Sequence, residues 1–399
     1  MSATKQTGVF QQPANSPVGA IVKKKILITF GTRPEAIKLA PLVLAFKQHA
    51  DFAVTVCVTA QHRTMLDQVL KFFGVTPDYD LDLMQSDQTL SDLTSNVLLH
   101  IKTVLEDAAP DYVFIQGDTT TAFAVALSSF YYRIPVCHVE AGLRTNNIYS
   151  PFPEEMNRQL ASRICRFHFA STQRAQQNLC AEHIPEETIL VTGNTVIDAL
   201  LEARKRLRPD GTAIRMLKNK INFDSGTYRR RIVVTGHRRE NFGEGLENIC
   251  RALKALAREH PDLQIVYPVH LNPNVQKPVY SLLSRTDNIK LLEPLDYESF
   301  IWLMDSAYCI ITDSGGIQEE APALGKPVLL TRDTTERPEA LEAGTVKMIG
   351  TGTDRIIAET NRLLQDTRVY KHMSTARNPY GDGTACEQII RFMRQHVCP

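Results

Sequence analysis

Four absences narrow the field before any motif is read. The chain of 399 residues has almost no net charge, since 45 Lys and Arg balance 44 Asp and Glu to a formal +1. Without a bulk field of either sign it has no general pull on nucleic acid or on an anionic membrane, so an anionic ligand must be held by a local cluster. No apolar run approaches the roughly 20 residues of a membrane-spanning helix. No C-x-x-C pair occurs among the eight cysteines, which are scattered from Cys57 to Cys398. In a chain of this size that pattern predicts reduced thiols in the cytoplasm, with neither a disulfide frame nor a metal site. No G-x-G-x-x-G spacing occurs either, so a permanently bound NAD is not expected and no cofactor is assigned.

What is present reads as an ordinary globular chain, 43% apolar and 22% charged. Its length favours two cores over one. Residues 1–22 lack the apolar centre of a secretion signal and are expected to form a flexible extension. An apolar run, Lys25 to Phe30, then ends at Gly31, and a helix is expected from Ala36 to Gln48 with Pro34 suited to its first turn. Apolar runs at 53–59, 112–116, 134–139 and 167–170 alternate with helical stretches at 64–73, 90–106 and 155–163. The design restarts at Arg231 to Gly236, with further strands at 263–267, 289–292, 308–312 and 327–330. Continuous apolar strands separated by helices predict parallel sheets covered on both faces. The expected fold is α/β: two doubly wound domains, 23–193 and 194–385, with a central cleft where ligands of such sheets bind.

Four segments carry chemistry. In Gly31-Thr32-Arg33-Pro34-Glu35-Ala36-Ile37-Lys38 a Gly turn opens a helix, whose first N–H groups suit an anion beside Arg33 and Lys38. Ser314-Gly315-Gly316 likewise opens a helix after a buried strand and suits a diphosphate. Glu319 and Glu320 fall next, placed in the first turn where carboxylates favour the dipole, or else accepting from ribose hydroxyls. Asp118 and Glu140 stand at the ends of consecutive strands, and Glu154 follows in Pro151-Phe152-Pro153-Glu154-Glu155. Asp118 has an alternative role as a helix cap, but acidic groups converging on one cleft are what proton transfer at carbon requires. His237, between Gly236 and the pair Arg238-Arg239, has an anion-facing reading; His270 and Arg337 are weaker candidates of the same kind.

With those segments in view the chain resembles the bacterial non-hydrolysing UDP-N-acetylglucosamine 2-epimerases from about residue 24 to residue 386. The resemblance rests on FGTRPEAIKLAPL, TAQHRTMLDQVL, GDTTT, HVEAGLRT, SPFPEEMNR, TGNTVIDAL, VTGHRRENFG, YPVHLNPNV, TDSGGIQEEAP and RDTTERPEA, ten stretches in order across both halves. It implies two Rossmann-like domains in the arrangement of many nucleotide-sugar glycosyltransferases (GT-B-like), with the last helix, 386–399, crossing back to the first domain. It implies acid/base roles for Asp118, Glu140 and Glu154, and a need for His237 and Lys38. It implies UDP contacts from Arg33, Phe300, Ser314, Gly315, Gly316, Glu320 and Arg337. A second, activating UDP-N-acetylglucosamine would lie near Gln61, His62, Arg238 and His270, although members that bind it carry an Arg where this chain has Asp87. The implied reaction is reversible C2 epimerisation of UDP-N-acetylglucosamine to UDP-N-acetylmannosamine by a cytoplasmic homodimer, supplying surface polysaccharide. A glycosyltransferase of the same architecture and a hydrolysing epimerase are the alternatives.

Overall fold

The computed structural model describes residues 23–59, 63–83, 88–207, 211–223 and 226–397. Gln61, His62 and Asp87 lie outside them, as do the 1–22 extension and the last two residues of the C-terminal helix as expected. Among the described residues thirteen strands form two sheets, parallel throughout. The first contains β1 (Lys24–Phe30), β2 (Phe52–Val58), β3 (Tyr79–Asp80), β4 (Tyr112–Gln116), β5 (Val136–Ala141), β6 (Phe167–Ala170) and β7 (Ile189–Val191). Their order is β3-β2-β1-β4-β5-β6-β7. The second contains β8 (Arg230–Thr235), β9 (Leu263–Pro268), β10 (Ile289–Leu292), β11 (Cys309–Thr312), β12 (Val328–Leu330) and β13 (Val346–Met348), ordered β10-β9-β8-β11-β12-β13.

Each sheet therefore winds outward from its first strand, then restarts on that strand's other side. The reversal leaves a crevice beyond the carboxyl ends of β1 and β4, and another beyond β8 and β11. Both halves are Rossmann-like, doubly wound α/β units. All the expected strands are present, with ends displaced by one or two residues. The unforeseen β3, β7 and β13 are two or three residues long, too short to leave a periodicity in sequence.

Burial explains why the strands read as solid apolar runs. Ile26 to Phe30 are all buried, because helices cover both sheet faces. Phe46, on the helix Arg33–Lys47, meets Phe52 and Phe114 edge-on at centroid distances of 4.9 and 5.2 Å. The last helix, Ala385–Val397, returns to the first sheet: Phe392 packs edge-on against Phe167 and Phe169. Its start is fixed by Asp198, whose carboxylate accepts from the backbone N–H groups of Ala385 and Cys386. The helix Thr195–Arg206, which carries Asp198, packs both on Arg33–Lys47 and on Gly315–Ala323, so it joins the two halves. Among the described residues no helix is long and apolar enough to cross a membrane.

Candidate active site between the two sheets

The carboxyl end of β1 does not present open N–H groups, contrary to expectation. The helix Arg33–Lys47 starts three residues earlier than its apolar pattern implies, and Glu35 folds back over its first turn. Its carboxylate accepts from Gly31 N at 3.1 Å, Thr32 N at 2.8 Å and the Thr119 hydroxyl at 2.7 Å. This is a capping box in which the protein's own carboxylate takes the anion position. Gly31 is required by packing: a Cβ there would stand 2.2 Å from Thr59 Oγ1 and 2.6 Å from Thr121 Oγ1. What this turn gives the cleft is Lys38, one helical turn further on.

Lys38 Nζ is paired with Glu140 Oε2 at 2.5 Å, and Gln116 Nε2 also donates to that oxygen. Glu140 reaches this position through a β-bulge. The register of β5 against β6 slips between Val139 and Ala141, and Glu140 takes φ +62°, the left-handed region. A bulge re-aims one side chain out of the sheet's alternation, and here the re-aimed group is a carboxylate. Burial alone would raise the Glu140 pKa, but the Lys38 charge and hydrogen bond outweigh it and hold the pKa below the usual range. Burial likewise works against the Lys38 ammonium, and the charges of Glu140 and Glu319 overcome it. The pair is ionised.

Asp118 follows the Gly117 turn after β4 and is not a helix cap; Thr119 is, accepting from Ala122 N at 3.0 Å. Arg158 Nη2 meets Asp118 Oδ2 at 2.5 Å, and Asn157 donates to the Asp118 carbonyl. Enclosure in the cleft raises the Asp118 pKa despite the pull of Arg158. The adjoining Glu155 is fully buried and accepts from Arg158, Gln159 and the N–H groups of Thr145 and Asn146, so it shapes the loop. Glu154 is the first residue of that helix and is not among the residues lining the cavity that holds Asp118 and Glu140.

Behind Gly117, the buried His138 bonds through Nε2 to the Gly117 carbonyl at 2.7 Å. Burial pushes its pKa down to about 3. In the unfolded chain an imidazole titrates near 6.5, so between those values the unfolded state binds the extra proton and stability falls as pH falls. The loss approaches about 1.4 kcal/mol per pH unit from this one group. Urea midpoints measured from pH 7 to pH 4 are expected to decline, with a shallower decline in His138→Gln.

In the second half, β11 is followed directly by Asp313, which is 1% exposed. Its carboxylate accepts from the N–H groups of His237 and Arg238 and from Asn241 Nδ2, fixing the turn after β8. His237 is thereby turned outward, 40% exposed and stacked on His270 at 5.7 Å. Burial lowers its pKa, the Asp313 charge opposing. Ser314 is the N-cap of the helix Gly315–Ala323 but makes no side-chain cap bond, which leaves that end available to an anion. Gly315 is packed under Arg337, where a Cβ would stand 2.5 Å from Nη1.

Glu319 and Glu320 lie in the second turn of that helix, not the first, so the dipole does not account for them. Glu319 is 5% exposed and bonds Arg337 Nε at 2.5 Å. Glu320 is raised to about 7, by burial and then by the neighbouring charge of Glu319, with Lys38, Arg33 and Arg337 offsetting part. Arg33, from the first half, is thus electrostatically close to Glu320 of the second. Phe300, on the helix Tyr297–Asp305, packs against the main apolar core.

A cavity of about 980 Å³ runs between the halves, lined among others by Lys38, Asp118, Glu140, Arg158, Arg238 and Arg337. That is ample for a small polar ligand. The two halves are bridged beside it, at Glu140: Asn194 Nδ2 donates to Glu140 Oε1 at 2.9 Å and to Glu319 Oε2 at 2.6 Å. Sequence reasoning missed Asn194, Arg158, Asp313 and the capping role of Glu35. Asn194 before an apolar helical run carries an N-cap signal, and Asp313 closely follows its strand as Asp118 follows its own; the ion pair of Arg158 leaves no such trace.

The sequence profile of the UDP-N-acetylglucosamine 2-epimerases matches residues 44–394. The chain belongs to the UDP-N-acetylglucosamine 2-epimerase family. It is 56% identical over 373 residues to a probable UDP-N-acetylglucosamine 2-epimerase of Ralstonia nicotianae, covering 94% of this chain and 99% of the relative. It is 54% identical over 372 residues to the UDP-N-acetylglucosamine 2-epimerase of Yersinia pestis, at 93% and 99% coverage. Among solved structures, the Neisseria meningitidis UDP-GlcNAc 2-epimerase bound to UDP-GlcNAc superposes with a TM-score of 0.85 at 48% identity, covering 93% of this chain and all of that one. The epimerase family's two-domain architecture, GT-B-like, is therefore this chain's own, with the charged cavity lying between its two sheets.

Proposed function

We propose that the protein interconverts UDP-N-acetylglucosamine and UDP-N-acetylmannosamine without hydrolysing either. The observation that carries this reading is the meeting of Lys38–Glu140 and Arg158–Asp118, from the first sheet, with Arg337 from the second, around one cavity. The C2 proton of the sugar is not next to a carbonyl, so it becomes acidic only as the C1–O bond to UDP breaks. A carboxylate takes that proton as UDP departs, giving 2-acetamidoglucal. UDP then re-forms the C1–O bond while a proton is returned to the other face of C2. Two faces require two proton-transfer groups, for which Asp118 and Glu140 are the assigned pair; Glu154, outside the cavity lining, is a third candidate acid on family likeness alone.

The departing diphosphate is assigned to the open helix end at Ser314, Gly315 and Gly316, with Arg33, Lys38, His237 and Arg337 supplying charge. Phe300 and Glu320 are assigned to the nucleoside. Gln61, His62, Arg238 and His270 are assigned to a second UDP-N-acetylglucosamine that activates. The domains are assigned to 23–193 and 194–385, the last helix completing the first. The seven described cysteines are all free, which suits the cytoplasm, where the product would feed a surface polysaccharide.

Incubation with UDP-N-acetylglucosamine alone, followed by proton NMR, tests the reading. The manno nucleotide should accumulate to a constant ratio without any acceptor. Release of free N-acetylmannosamine with UDP would replace this reading by the hydrolysing one.

A homodimer is part of the proposal. Leu99, Phe130, Tyr131 and Leu160 are 68%, 60%, 66% and 40% exposed, on the helices Leu90–Ala108, Thr120–Tyr131 and Glu154–Ile164, of which the second packs on both others. Burying them is worth about 1.5–3 kcal/mol per large side chain. Sedimentation should give a dimer, and Phe130→Asp should shift it towards monomer; a monomeric native chain would contradict the assignment.

A further inference from the structure

Asn194 stands where the two halves meet, with both of its side-chain N–H donors and its amide oxygen engaged. It caps the helix Thr195–Arg206, its Oδ1 accepting from Val196 N at 3.1 Å. That bond fixes which way the amide points, so the two protons of Nδ2 face the carboxylates. One goes to Glu140 Oε1 at 2.9 Å and the other to Glu319 Oε2 at 2.6 Å. The remaining oxygens are taken elsewhere: Glu140 Oε2 by Lys38 and Gln116, Glu319 Oε1 by Arg337. The residue is 2% exposed, and its own N–H is held by the Tyr380 carbonyl at 2.7 Å, on the segment leading back to the first domain.

We propose that Asn194 is a positioning residue for the epimerisation, aiming the Glu140 carboxylate and linking it to the diphosphate-binding Arg337 through Glu319. Resting on the epimerase reading given above, the inference goes beyond it in naming what sets the reactivity of Glu140. Two carboxylates from different halves face the same side chain; a neutral amide donating to both offsets their repulsion. The charged groups bearing on Glu140 are Lys38 from the first helix, Asp118 from the β4 turn, and Glu319 and Arg337 from the second half; the neutral His138 lies on its own strand. Because Asn194 touches both carboxylates, rotation of one half against the other would alter the donor that Glu140 sees.

Asn194→Asp is the informative variant. Asp caps helices as well as Asn does, so helix and shape are kept, but a donor pair becomes a third carboxylate. The proton affinity of Glu140 then rises. The acidic limb of the kcat–pH profile should move up by about one pH unit or more, and kcat at pH 7 should fall about tenfold or more. UDP affinity should change far less. Asn194→Ser, which also caps, should fall between the native chain and the Asp variant. If capping were the whole role, both variants would match the native pH profile and kcat, and the proposal would be wrong.

A second readout does not depend on activity. The introduced carboxylate would have a raised pKa in the folded state, so its penalty is absent below the unfolded Asp value of about 3.9 and grows as pH rises towards the folded value. The melting temperature of Asn194→Asp should lie near that of the native chain at pH 4 and well below it at pH 8. A gap independent of pH would overturn the bridge even if the protein proved not to be an epimerase. An inactive native chain with the pH-dependent gap would instead leave the bridge standing and remove the functional reading.

Discussion

Glu140→Gln should reduce epimerisation by about a thousandfold or more while leaving the affinity for UDP within about threefold. General acid or base catalysis by one positioned group contributes on the order of 10²–10⁴. Glu140 is also the group that the β-bulge, the Lys38 pair and the Asn194 bridge together aim at the cavity. Glutamine keeps the length and can still accept from Asn194, so the architecture persists while proton transfer is lost. In the proposed mechanism the diphosphate is held by the helix end at Ser314 with Arg33, Lys38, His237 and Arg337, none of which this change removes. Turnover followed by NMR, with UDP binding followed by calorimetry, separates the two quantities. Native turnover in the variant would remove Glu140 from the chemistry.

The second large effect is expected at Arg337. Its guanidinium bonds Glu319 and Glu336 at 2.5 and 2.8 Å, and both carboxylates hold its pKa above the ordinary arginine value against the effect of burial. Glu336 in turn is held down at about 2, burial opposed chiefly by Arg337. Arg337→Met should raise KM for the nucleotide sugar about a hundredfold, as expected when charged hydrogen bonds worth about 1.5–3 kcal/mol are lost. It also leaves the nearly buried Glu319 unpaired, so part of the effect will be instability. Gly315→Ala provides the cleaner variant, because its Cβ would displace Arg337 Nη1 from 2.5 Å without removing a charge. About a tenfold rise in KM with a smaller change in kcat is expected for it. An unchanged KM in both would place the diphosphate elsewhere.

The repeated strand–helix alternation was legible because parallel strands buried on both faces are written as unbroken apolar runs. Asp118 and Glu140, which line the cavity, were candidates for a related reason: each closely follows such a run, at the strand ends where open sheets collect ligands. Two local readings failed, one on a hydrogen-bonded cap and one on where a helix begins. Gly31 seemed to open a helix end to an anion, but Glu35, four residues away, fills it. Glu319 looked like a dipole partner, yet the helix begins at Gly315 and places it one turn in, facing Asn194 and Arg337. The links Asn194–Glu140, Arg158–Asp118 and Arg337–Glu319 span 54, 40 and 18 positions of sequence. No local pattern encodes such pairings. They come from the way the two sheets and the joining helix pack.

The most direct test of the central claim is isotopic. UDP-N-acetylglucosamine carrying ¹⁸O in the bond between C1 and the diphosphate should be incubated with the protein in deuterated water. If C1–O cleavage and C2 deprotonation belong to one elimination, recovered nucleotide sugar will carry deuterium at C2, and the ¹⁸O will scramble into the non-bridging oxygens of the diphosphate wherever the phosphate turns before re-addition. Epimerisation with no deuterium at C2 would contradict the account outright, because carboxylates at Asp118 and Glu140 would then have no proton to move.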